Sequence, residues 1–254
     1  MTLGTEIERG SVQKLAEGLW SIHTDFFFGE GNLGNRSVIV QLAHALAIIN
    51  ATPVTESSVA QVRDIEAATN LKLEYILSTG DWHYLRMGEW LNHFPSAKAY
   101  IPAGRLEQKI PELDAPFPYV LLDNSVENPL PELEPHLKCQ TIFGMKQHTG
   151  PEPRIEYAYL HAGSKTLISG DAFWYAEKDM IFSMYYSDNE QGRICFHFGK
   201  FTVVADKDAL LTSHARILTW DFDNFIPVHG SLSMFVRGNA RDKFLNSVDF
   251  LTNA

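Results

Sequence analysis

The sequence holds only two cysteines, Cys139 and Cys195, far apart in 254 residues. Two such residues cannot form the disulfide framework of a small secreted scaffold. They read as buried free thiols in a reducing compartment, and a cytoplasmic location is expected. Long apolar runs are missing as well. The densest stretch, Val38 to Ile49, is broken by Gln41 and His44, far short of the roughly 18 apolar residues a membrane-spanning helix needs. Met1 to Gln13 carries Glu6, Glu8 and Arg9 and no apolar segment, so no secretory signal is read there. Positive charge is scarce. Lys and Arg total 21 against 31 Asp and Glu, a formal charge of −10. That balance argues against nucleic acid as a partner, because phosphate binding needs clustered cations. Internal repeats and low-complexity tracts are absent. With 45% apolar and 12% aromatic residues, the chain is neither disordered nor fibrous.

Several enzyme signatures are also missing. Gly29, Gly31 and Gly34 have the wrong spacing for a dinucleotide fingerprint and no strand-then-helix frame around them. No Gly-x-Ser-x-Gly elbow occurs, and neither cysteine has a histidine pattern nearby, so nucleophilic serine or cysteine catalysis has little support.

The apolar pattern is that of an α/β protein. Leu19 to Ile22, Ser37 to Leu42 and Leu46 to Asn50 read as strands. A helix follows over Thr55 to Asn70, with Thr55 or Ser57 able to cap it and Val59, Val62, Ile65 and Ala68 at helical spacing. Leu73 to Leu77 is a buried strand, Leu85 to Phe94 a helix, and Lys98 to Ile101 a strand, which gives a βαβαβ order. Prolines at 111, 116, 118, 129, 131 and 135 restrict the next stretch to edge strands and loops. Cys139 to Met145, Ile155 to His161 and Thr166 to Ser169 read as strands, the last two joined as a hairpin through Gly163-Ser164. Residues 172–200 are aromatic and irregular. Asp206 to Leu218 is a helix capped by Asp206, Phe225 to Val228 a strand, and Ala240 to Leu251 a closing amphipathic helix.

Apolar strands end four times in polar residues: Leu77 before Ser78-Thr79-Gly80-Asp81-Trp82-His83, Leu160 before His161, Ser169-Gly170 before Asp171, and Val228 before His229. Side chains at strand ends can converge on one rim, where layered α/β folds bind ligands. An Asp and His mixture suits a borderline divalent ion such as zinc, manganese or iron. Each residue also has a plainer reading. Asp81 is able to cap the helix that follows, and His83 and His161 to bond a backbone carbonyl in the core. His23, His44, His93, His136, His148, His197 and His214 lack a convergent context and read as surface or packing residues. Phe26 to Phe28 could form an apolar lip to a cleft, though burial against a sheet is the favoured reading.

Thr79 to Gly88, Ile168-Ser169-Gly170-Asp171 and Asp223 to Gly230 resemble motifs of the metallo-β-lactamase fold superfamily, in matching order over residues 15–250. The resemblance implies one domain over 1–254. Its fold would be a four-layer αβ/βα sandwich, two mixed sheets packed face to face with helices on the outer faces. It further implies that Asp81, His83 and His161 hold one ion, that Asp171 bridges, and that His229 closes a second site. The family's His-x-His-x-Asp-His motif is degenerate here. Leu85 and Arg86 stand where the second metal's aspartate and histidine would be, and neither can ligate a cation. One ion, zinc by analogy, is therefore expected. Arg86 is expected to replace the missing charge and pair with Asp171. Asn50 stands at the family's supporting aspartate and can still position a ligand by hydrogen bonding. The expected activity is hydrolysis of a small-molecule ester, lactone or amide. Asp171 would handle the water proton, and His229 and Arg86 would face the oxyanion. The alternative is a metal-free, non-catalytic member of the fold that binds a small ligand or a protein.

Overall fold

A computed structural model describes residues 10–28, 30–104, 110, 116–147, 152–176, 192–196 and 202–251. His148, His197 and much of the irregular 172–200 stretch lie outside the described residues.

The first half of the chain builds one sheet. Its strands are β1 (Val12–Ala16) and β2 (Leu19–Thr24), then, after the small hairpin β3 (Phe27–Phe28) and β4 (Gly31–Asn32), β5 (Asn35–Gln41), β6 (Ala45–Ile49), β7 (Lys72–Leu77), β8 (Lys98–Pro102) and β9 (Tyr119–Leu122). The seven-stranded order is β1-β2-β5-β6-β7-β8-β9. Pairing is antiparallel as far as β6 and parallel beyond it. The change follows from the connections. Turns and the β3–β4 hairpin link the early strands, whereas helix α1 (Glu56–Thr69) carries the chain over from β6 to β7 and α2 (Met87–His93) from β7 to β8.

The second half adds β10 (Leu137–Ile142), β11 (Met145–Gln147), β12 (Glu156–His161), β13 (Thr166–Ser169), β14 (Phe173–Tyr175), β15 (Ile194–Phe196), β16 (Thr202–Val204), helix α3 (Lys207–Leu218), β17 (Asn224–Pro227) and helix α4 (Ala240–Leu245). A four-stranded mixed sheet runs β10-β12-β13-β17, with only β13 and β17 parallel.

Alternation along the strands shows the layers directly. Val38, Val40, Ala47 and Ile49 face Cys139, Tyr157, Tyr159, Ile168 and Ile226 of the other sheet. Their neighbours Ile39, Leu46 and Ile48 turn outward onto Val59, Val62, Ile65 and Trp90 of α1 and α2. On the far side Leu160, Leu167 and Phe225 meet Leu210, Ile217 and Phe244 of α3 and α4. Both faces of each central strand are thus covered, which is why β6 and the centres of β5 (Val38 to Val40) and β12 (Tyr157 to Leu160) are apolar on both faces. The architecture is the expected four-layer αβ/βα sandwich.

Local signals set most element limits. Thr55 caps α1 in a capping box with Ser58, and Asn70 ends it in the left-handed conformation at φ 55°. Asp206 caps α3 by accepting from the Ala209 amide. Several boundaries differ from expectation. The second helix starts at Met87, two residues late, because the loop before it is held by its own hydrogen bonds. The strand expected over Cys139 to Met145 breaks at Gly144, where φ is +88° and a Cβ would lie 2.2 Å from the Asp206 carbonyl oxygen. The closing helix ends at Leu245, and Asp249–Leu251 forms a separate 3₁₀ turn.

The sheets are laced together at one rim. Tyr159 donates its hydroxyl to the Ser78 carbonyl at 2.5 Å, and the Tyr157 amide donates to the Thr79 carbonyl at 2.9 Å. Buried Arg36, on β5, donates to the carbonyls of Pro227 at 2.8 Å and Ser231 at 2.5 Å. Trp90, fully buried, donates its indole N–H to the Thr52 carbonyl at 2.8 Å and so fixes the segment after β6. Trp90→Ala should lower unfolding free energy by about 3–5 kcal/mol, read as a shift of the urea midpoint.

Candidate metal site

The laced rim gathers the carboxyl ends of β6, β7, β13 and β17 and the amino ends of β5 and β12. Three of the five ligands expected from sequence meet there. His83 Nε2 lies 3.2 Å from Asp171 Oδ1, and His229 Nε2 lies 3.4 Å from the same oxygen. Among the described residues these three form the group able to hold an ion, with one donor atom each and all donors within 4.8 Å of one another.

Each imidazole is held from behind. Asn50 uses its amide N–H₂ to donate to Asn35 Oδ1 at 2.7 Å and to the Arg36 carbonyl at 2.8 Å. Its oxygen is thereby presented to His83 Nδ1, which donates to it at 3.0 Å. Asn50 sits at φ 61°, a left-handed conformation that asparagine tolerates better than most residues. His229 Nδ1 donates to the Gly34 carbonyl at 2.5 Å, and its ring stacks on Trp174 at 5.1 Å. A carbonyl only accepts, so each Nδ1 carries hydrogen and each neutral ring turns the lone pair of Nε2 toward Asp171. Metal-ligating histidines are held in the same way, by an acceptor on the remote ring nitrogen.

The donors fit a divalent cation on a second count. His83 Nε2 and Asp171 Oδ1 are buried and neither is in a hydrogen bond, although they approach within 3.2 Å. Buried polar atoms left unbonded cost stability unless something occupies them. Two nitrogens and one carboxylate oxygen make a set of the kind zinc accepts in a three-ligand open site.

Electrostatics separate the two histidines. Burial and the neighbouring charge of His83 push His229 down to about 4. Burial also disfavours charge on His83, but the adjacent Asp171 carboxylate outweighs it and raises the pKa above the ordinary value. Asp171 is held well below the carboxylate range, against the effect of burial, by both imidazoles and Arg154. His229 is therefore neutral at neutral pH, and His83 is the more basic of the two rings.

The remaining sequence candidates go elsewhere. Asp81 turns away from the cluster; its Oδ2 accepts from Gln147 Nε2 at 3.0 Å and from the Ile155 amide at 3.1 Å, and the cap of α2 is Arg86. His161 lies at the far end of β12, paired with Thr166 at the start of β13. The hairpin makes the two strands antiparallel, which separates His161 from Asp171 by the length of the sheet. Its Nδ1 meets Ser164 Oγ at 2.7 Å and its Nε2 meets the Gln41 carbonyl at 3.2 Å, so it closes the opposite rim. Arg86 bonds Glu89 one helical turn away at 2.5 Å instead of Asp171. The residue that pairs with Asp171 is Arg154, with Nη2 at 2.7 Å from Oδ2, and it also grips Glu156 at 3.0 Å. Neither Arg154 nor Glu156 was singled out in the sequence. The available signal was two charges at alternate positions opening an otherwise buried strand.

The cluster floors a cleft of about 410 Å³ whose walls include Phe26, Phe27, Trp82, Leu85, Arg86 and Trp174. Phe26 and Phe27 are exposed at its mouth, which corrects the expectation of burial. Strands β3 and β4 form a two-stranded hairpin apart from the main sheets, so no sheet face covers these rings.

Two tests follow from this geometry. Asp81→Ala should cost about 1.5–3 kcal/mol for its lost charged hydrogen bonds and leave metal uptake unchanged, as measured by urea unfolding and elemental analysis. His229 in the fold binds fewer protons than an ordinary histidine at 6.5, so its contribution is complete above pH 6.5 and is lost as pH falls toward about 4. His161 and His214 are shifted in the same direction by burial. The His229 ring should therefore stay neutral to about pH 4 when followed by NMR.

No protein-family model matches the sequence, and no curated protein sequence matches it. Solved structures do. A metallo-β-lactamase from Pontibacter korlensis superposes with a TM-score of 0.59 at 10% identity, covering 96% of this chain and 99% of that one. The metallo-β-lactamase FIM-1 from Pseudomonas aeruginosa, in its mono-zinc form, gives 0.60 at 12% identity over 97% and 96%. A metallo-β-lactamase from Erythrobacter litoralis gives 0.59 at 14% identity over 98% and 95%. Over almost its whole length the chain therefore has the metallo-β-lactamase fold, in a sequence-divergent form.

Proposed function

We propose that the chain is a metal-dependent hydrolase with one ion held by His83, Asp171 and His229, zinc being the metal best suited to that donor set. The observation that carries this reading is the pair of backed imidazoles with both Nε2 atoms turned on one buried, unbonded carboxylate oxygen. When bound, such an ion supplies Lewis acidity and acidified water for attack on a carbonyl.

The protein's own groups supply the rest. Asn50 and Gly34 hold the two rings in one tautomer, so their lone pairs need no reorganisation. Arg154 fixes the Asp171 carboxylate through Oδ2 and leaves Oδ1 to the histidine side. His229 is neutral at working pH, so its Nε2 lone pair is open to an ion. Phe26, Phe27 and Trp82 make the cleft mouth apolar, which suits the hydrocarbon part of a small ester, lactone or amide and limits access of bulk water. Arg86 lies on the wall, where it can face a substrate oxygen only by leaving Glu89. A cytoplasmic setting is part of the proposal and is supported by the two buried free thiols. No helix among the described residues is long and apolar enough to cross a membrane.

One observation favours the metal-free alternative. Arg154 already neutralises part of the carboxylate charge that would attract an ion. Elemental analysis decides between the two. The hydrolase reading expects one zinc per chain after purification, loss of it in His83→Ala and Asp171→Ala, and at least ~100-fold lower turnover of a chromogenic ester or lactone panel in both. Asn50→Ala should weaken zinc binding by about 10–100-fold. Zinc-free protein that stays inactive after zinc is added would reject the proposal.

A further inference from the structure

We infer that Arg154 is a resident cation that holds the Oδ2 side of Asp171 and restricts the cleft to a single metal ion. The inference rests on the single-ion reading above.

Asp171 offers two oxygens in opposite directions. Oδ1 faces the two histidines, while Oδ2 is taken by Arg154 Nη2 at 2.7 Å. The same guanidinium donates from Nε and Nη2 to Glu156 Oε1, at 3.1 and 3.0 Å. The other Glu156 oxygen accepts the Asp171 amide at 3.1 Å, so the two acids are tied together around one arginine. Arg154 is 2% exposed and Glu156 is fully buried. Two close carboxylates buried without a cation would have to take up a proton or a cation. Here the cation is covalently part of the chain.

Its position is rigidly specified. The Arg154 amide donates to the Met145 carbonyl at 3.1 Å, and the next amide, of Ile155, is held by Asp81. The guanidinium carbon lies 5.6 Å from the Trp82 ring centroid. Gly80 and Gly170 close the other side, since a Cβ on either would come within 2.7 Å of the Glu156 carboxylate. Arginine suits this task better than lysine in geometry, because its planar fork reaches both acids and keeps its charge when buried.

The test is stoichiometry, independent of turnover. Chelator-stripped protein is titrated with Zn²⁺ by calorimetry, and bound zinc is counted after desalting. Wild type should take up one ion. Arg154→Gln, which leaves Glu156 and Asp171 unneutralised, should take up a second. Arg154→Lys keeps the charge and should remain at the wild-type count. The inference falls if Arg154→Gln binds zinc with wild-type number and affinity, if Arg154→Lys also gains an ion, or if wild type itself takes up two. The last arm needs no variant, so poor folding of Arg154→Gln does not shield the idea. Wild type with no ion and Arg154→Gln with one would uphold the role of Arg154 while removing the hydrolase proposal.

Discussion

One buried carboxylate organises the cleft. Asp171 receives two imidazoles on one oxygen and a guanidinium on the other, and each of these partners comes from a different segment of the chain. A charge this well enclosed is tolerable only with its partners in place, because an isolated buried carboxylate is strongly destabilising. Much of the surrounding polar structure follows from that requirement. Asn35, Asn50 and Gly34 hold the imidazoles, Asp81 holds the backbone beside Arg154, and Glu156 shares the arginine. Polar residues that read as isolated in the sequence form one connected network in the fold.

The parts legible beforehand were those with local causes. Thr55 and Asp206 announced helix starts because a capping side chain bonds an amide three residues on. Asp171 and His229 were legible because polar residues at the ends of buried parallel strands β13 and β17 share a rim. His83 joined them through the short loop after β7. Asp81 carried the same type of signal but bonds Gln147 and Ile155, a choice made by tertiary contacts that the sequence does not display.

His161 is the more instructive case. The hairpin through Gly163-Ser164 was itself readable, and an antiparallel partner places the end of β12 at the opposite rim from the end of β13. Strand direction, applied consistently, removes His161 from the cluster and points to the start of β12 instead. That is where Arg154 and Glu156 lie. Arg86 illustrates competition between near and far partners: it pairs with Glu89, one turn along α2, and not with Asp171.

The cluster also straddles the seam between the two sheets. His83 and its support Asn50 belong to the first half of the chain, whereas Asp171 and His229 belong to the second. Any occupant that grips both sides acts as a rivet between the halves, and its binding energy adds to their cohesion. Assembly of the site and docking of the sheets are then one event. A chain whose halves have not closed offers Asp171 and His229 without His83, so full grip on an ion waits for closure.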